Sequence, residues 1–156
     1  ALLRDDRVRL TSLASGVAPE VLHASPAPGE WSPAEVLAHI RACADTWGAN
    51  IARILADEHP TFAGVNPRAW LRKTDYLAWP FEAALAAYSD QRDALLAVLD
   101  GLAPDDWERA ATVRAYGQAN ERTLRSYASQ LAKHERVHVR QVAATLGRDA
   151  SAGPAQ

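Results

Sequence analysis

Five histidines carry most of the chemistry that this 156-residue chain can offer. His134 and His138 are four residues apart, so in a helix their imidazoles share one face, a turn apart. They also fall in the stripe Leu124, Tyr127, Leu131, His134, His138, Gln141 and Thr145, which turns them toward a core. Two stacked inward imidazoles are hard to satisfy. Each ring has two nitrogens to partner, and a buried unpartnered polar group costs about 1–3 kcal/mol. Either each ring finds its own hydrogen bonds, or one cation takes a nitrogen from both. His39 lies three residues after Val36 and four before Cys43, at the border of the core face of an earlier helix. Metal sites in helix bundles are built from such side chains on facing helices. Three neutral imidazoles plus a water form an open site suited to Zn²⁺, and Ni²⁺ or another late divalent ion also fits them. His23 and His59 sit in proline-flanked loops and read as solvent-exposed.

The run His134-Glu135-Arg136-Val137-His138 also matches H-E-x-x-H, in which the glutamate is the general base of a zinc peptidase. That reading lacks a third ligand. A metzincin would continue with glycine at position 141 and histidine at 144, where Gln141 and Ala144 stand, and no glutamate follows His138. The peptidase therefore stays a minor alternative, and Glu135 reads as a helix-surface charge pointing partly outward.

Four amphipathic stretches must position these residues. The first covers about residues 2–15 and ends at Gly16 and Pro19; a short piece, residues 19–23, follows it. The second starts at a capping box, with Ser32 as N-cap, Pro33 at the first helical position and Glu35 two residues on, and Trp31 beside it as a hydrophobic staple. It carries Val36, Ile40, Cys43, Trp47, Ile51 and Ile54 and ends near Glu58. The third covers about residues 80–100, before Gly101, and the fourth about residues 121–146, before Gly147. Two long loops are expected, at 59–79 and 110–120; the aromatics of the first, Phe62, Trp70, Tyr76 and Trp79, are expected to pack on the bundle. No stretch alternates as a strand does, so the expected fold is all-α: one four-helix-bundle domain over residues 1–147, with a disordered tail at 148–156.

Composition narrows the function. The net charge is −2, and lysine occurs only at Lys73 and Lys133, which argues against nucleic acid as a partner. No apolar run approaches the roughly 20 residues of a membrane span, and the first residues lack a signal-peptide core. Cys43 is the lone cysteine, which fits a reducing, cytoplasmic setting. Methionine is absent, so the true N-terminus is expected to be trimmed or to lie outside this numbering.

Read in order, the sequence resembles a known family. The matching features are Gly29-Glu30-Trp31-Ser32, then Glu35-Val36-Leu37-Ala38-His39, then Arg122-Thr123-Leu124, then His134 to His138 followed by Arg140-Gln141-Val142. Together, over about residues 2–147, they resemble the DinB-like (damage-inducible) metal-binding four-helix-bundle superfamily, which is distinct from the DNA polymerases sharing that name. The resemblance implies one ion, zinc or nickel, held by His39, His134 and His138, and a homodimer. Some relatives are thiol-dependent S-transferases or isomerases using bacillithiol, mycothiol or glutathione, though some of these carry glutamate where this chain has His134. The implied function is a divalent-metal-dependent S-transferase or hydrolase. In it the metal activates a thiol or water against a small-molecule substrate, with a low-molecular-weight thiol as partner. The alternative is a non-enzymatic metal-binding stress-response bundle. No catalytic residue is assigned. Glu35 reads as a cap with a proton relay as second role, Trp47 as core with Asn50 a candidate pocket residue, and Cys43 as a small buried filler beside the site.

Overall fold

The capping box at Ser32 is formed in the computed structural model. The Ser32 hydroxyl accepts from the Glu35 N–H at 3.2 Å, and the Glu35 carboxylate accepts from the Ser32 N–H at 2.8 Å. The structure describes residues 2–64, 66–115 and 117–148; the expected tail beyond residue 148 lies outside them. In chain order these form α1 (Leu2–Ala14), α2 (Pro19–His23), α3 (Pro33–Ala56), β1 (Thr61–Ala63) and α4 (Pro67–Leu71). A 3₁₀ turn at Tyr76–Ala78, α5 (Phe81–Asp100) and a 3₁₀ turn at Pro104–Glu108 follow, then β2 (Ala110–Ala115), β3 (Gln118–Thr123) and α6 (Leu124–Thr145).

The four long helices close a ring. α3 packs on α5 and α6, and α1 packs on the same two, so α5 lies diagonally opposite α6. The bundle is as expected, but the chain is not purely all-α. β1 pairs parallel with β2, and β2 pairs antiparallel with β3. β1 is only three residues long, and β3 has no alternating pattern because it is solvent-exposed along almost its whole length and buries neither face. Their anchors are Phe62 and Ala111, both buried against Leu124 and Tyr127 at one end of the bundle. Residues 118–123, expected in part to begin the last helix, are spent on β3; Thr123 then caps α6, accepting from the Ser126 N–H at 3.2 Å.

The loop after α3 does pack on the bundle, through one carboxylate. Asp45 accepts from Trp70 Nε1 at 3.1 Å, the Tyr76 hydroxyl at 2.8 Å and Gln91 Nε2 at 2.5 Å. The Arg41 guanidinium lies over the rings of Tyr76 and Trp79, 3.9 and 4.4 Å from their centroids.

The core is divided. One apolar cluster, around Ile51, Ile54, Leu96, Leu124 and Leu131, sits at the sheet end. A second, around Leu10, Leu37, Ile40, Phe81 and Val142, fills the other end. Charged pairs join helices within this core, one across the diagonal and one between neighbours. Arg92 of α5 and Glu135 of α6, both 0% exposed, form a buried ion pair, and the Tyr88 hydroxyl donates to Glu135 at 2.5 Å. Buried Asp6 of α1 pairs with Arg136. Glu135 is thus a core residue, contrary to its reading as an outward charge. Removing one partner of such a pair strands the other charge in low dielectric. Arg92→Met alone is therefore expected to destabilise the fold by about 3–5 kcal/mol, whereas Arg92→Met with Glu135→Leu should recover most of that loss. Urea unfolding of the two variants checks this; equal losses would contradict it.

Candidate metal centre

Glu135 fixes the rotation of α6. At about 100° per residue, positions 134 and 138 lie about 100° and 60° to the same side of position 135. With Glu135 turned inward, both imidazoles swing toward α3, where they meet His39, which is 5% exposed. His134 and His138 are half-buried and sit at the edge of the core rather than in its centre. The three expected residues are therefore brought together. His134 Nε2 lies 3.4 Å from His39 Nε2 and 3.2 Å from His138 Nε2, and one ring nitrogen from each residue falls within 4.8 Å of the others.

Hydrogen bonding decides what these nitrogens can do. His138 Nδ1 lies 3.0 Å from Gln141 Oε1, so Nδ1–H donates there and Nε2 keeps its lone pair. His134 Nε2, between two such neighbours, could donate to only one of them as a neutral ring. His134 Nδ1 is buried without a hydrogen-bond partner. Three converging nitrogens and too few protons fit a cation. Two ligands about 2.0–2.1 Å from a tetrahedral ion lie about 3.3 Å apart, close to both spacings between the Nε2 atoms. No fourth His, Cys, Asp or Glu joins the group among the described residues.

Electrostatics keeps the rings neutral. Burial, then the neighbouring histidines, lower His39 to about 4; burial and His138 lower His134 to about 4. Burial also lowers His138, against the Gln141 hydrogen bond. Cys43 Sγ lies 3.5 Å from His39 Nε2, but burial first, and then Glu135, push its thiol up to about 12. It remains protonated and fills space, as its position in the helix stripe predicts.

Tryptophans wall the group. Trp31 stacks on His138 with ring centroids 6.2 Å apart and leans on His39 at 5.0 Å; Trp47 meets His134 edge-on at 5.2 Å. A cleft of about 540 Å³ opens at His138, lined by Trp31, Arg68, Gln141 and Thr145 among others. Its other lining residues are Ala144 of α6 and Pro26, Gly29 and Glu30 of the loop before α3. Other expectations resolve differently. Asn50 is buried and donates to the Tyr127 hydroxyl at 3.3 Å, so it is engaged in the core. Glu35 is occupied by its cap. His23 and His59 are exposed; His59 Nε2 sits 3.3 Å from Glu121 Oε1. Sequence reasoning missed Arg68, which lies in an aperiodic segment, and the contact of Trp31 with the rings, where only a staple was legible.

The ring environment has a consequence for stability. His39 and His134 titrate near 4 in the fold against 6.5 ordinarily. Between those values the unfolded chain binds more protons, so acidification favours unfolding. Burial pushes Glu135 and Asp6 up, which acts in the opposite sense. Metal-free protein with His39→Gln and His134→Gln is therefore expected to lose less stability than wild type as pH falls from about 6.5 toward 4. Urea midpoints across that window measure it; identical slopes would contradict it.

Residues 2–142 match the sequence profile of the DinB superfamily. In structure the chain is similar to YfiT from Bacillus subtilis, described as "a probable metal-dependent hydrolase with an unusual four-helix bundle topology". The TM-score is 0.72 at 18% identity, over 95% of this chain and 85% of that one. At that identity the likeness speaks to the fold. No curated protein matches the chain. Since the matched profile takes in the whole described structure from α1 to within a few residues of the end of α6, the chain belongs to the DinB superfamily.

Proposed function

We propose that this protein is a divalent-metal-dependent enzyme, a hydrolase or a thiol-dependent S-transferase, whose ion is held by His39, His134 and His138. The observation that carries this reading is the convergence of three neutral imidazole nitrogens within 4.8 Å of one another, with both separations from His134 Nε2 close to tetrahedral ligand spacing, beside a cleft large enough for a small molecule. The kinship with YfiT, itself described as a probable metal-dependent hydrolase, supports it. Zinc or nickel suits an all-imidazole set.

A bound divalent ion would supply a nucleophile at neutral pH by lowering the pKa of a water or a thiol. This chain's own residues do the rest. Gln141 holds His138 in the tautomer that presents Nε2. Trp31 and Trp47 fix the ring planes and keep bulk water from the buried faces of the imidazoles. Glu135 serves no proton transfer here, because both its oxygens are engaged in the core by Tyr88 and Arg92. That removes the general base on which the peptidase reading depends.

Zinc titration tests the assignment. Wild type is expected to bind one equivalent. His39→Ala, His134→Ala or His138→Ala should each weaken binding by more than Gln141→Ala, which is expected to cost roughly 10–100-fold as an outer partner of a ligand. A stoichiometric ion that survives loss of all three histidines would refute the site. Turnover of ester or electrophile-plus-thiol panels, lost in His138→Ala with the fold intact, separates an enzyme from a bundle that the ion merely stabilises.

A further inference from the structure

The cleft at His138 contains a cation that no described contact neutralises. Arg68 of α4 places its guanidinium carbon 5.1 Å from the Trp31 ring centroid, and Trp31 in turn stacks on His138. Among the described residues no carboxylate forms an ion pair with Arg68, although Glu30 lines the same cleft. A planar guanidinium with free donors, held by an aromatic face at the mouth of a cleft, matches the fork of a carboxylate. Beside it the Trp31 ring, Pro26 and Ala144 offer apolar surface for the remainder of a ligand. One guanidinium balances one negative charge, and Glu30 disfavours a dianion such as a phosphate monoester.

We infer that Arg68 is the substrate-anchoring residue of this site and that its ligand is a small organic monocarboxylate. The carboxylate would rest on Arg68, the apolar body against Trp31, and the rest of the molecule toward the histidines. This inference rests on the proposed function for its chemistry, but the binding it describes needs only residues of the chain.

Calorimetry at low salt with phenylacetate and its neutral analogue phenylacetamide, on metal-free and zinc-loaded protein, tests it. Phenylacetate is expected to bind the metal-free wild type more tightly than phenylacetamide. Arg68→Gln should weaken phenylacetate about ten-fold or more, with phenylacetamide unchanged and an unaltered melting temperature, and Arg68→Lys should fall between. Undiminished phenylacetate binding by Arg68→Gln overturns the inference, as does no measurable binding to wild type in the millimolar range. The metal reading fails separately: if wild type takes up no zinc, the metal-free arm still reports on Arg68.

Discussion

A guanidinium and a carboxylate, both sealed from solvent, meet across the diagonal of the bundle, and the orientation of α6 depends on that meeting. Arg92 and Glu135 come from two diagonally opposed helices, α5 and α6. Taking both charges out of water costs several kcal/mol each, which their attraction repays only in a good geometry. We read the pair as an orienting device. Burying Glu135 commits α6 to one rotation, and that rotation sends His134 and His138 to the side where α3 carries His39. An apolar residue at position 135 would allow α6 to turn; the carboxylate, needing both Arg92 and the Tyr88 hydroxyl, does not.

The imidazoles occupy an intermediate environment between core and solvent. They are buried enough to stay neutral, which is the state a metal requires, yet His138 still opens on a cleft. Trp31 links the two conditions. It sits immediately before the N-cap of α3, so the capping box that starts the helix also sets the wall over the rings. The Asp45 contacts hold the loop after α3 against the bundle, and that loop carries α4 and Arg68 to the same cleft.

Much of this was legible in the residues. The helix starts and stops announced themselves through Ser32, Pro33, Gly101 and Gly147, and the i, i+4 spacing of His134 and His138 marked them as a pair. His39 could be placed at the border of a core face, with its partnership resting on the family resemblance. Three things were not legible. The sheet was hidden because Gln118–Thr123 is polar except at Ala119 and pairs through its backbone. Glu135 read as a surface charge because a lone acidic residue beside a stripe gives no hint of a partner 43 residues earlier in the chain. Arg68 was invisible because nothing periodic surrounds it. The misses at Glu135 and Arg68 are long-range contacts between residues whose local context is ordinary.

The central claim is that one ion sits among His39, His134 and His138. Metal-edge X-ray absorption on zinc-reconstituted protein tests it most directly. Three imidazole nitrogens about 2.0–2.1 Å from the zinc, reduced in number in His39→Ala, are the predicted result. A first shell with sulfur, or one unchanged by His39→Ala, would contradict it.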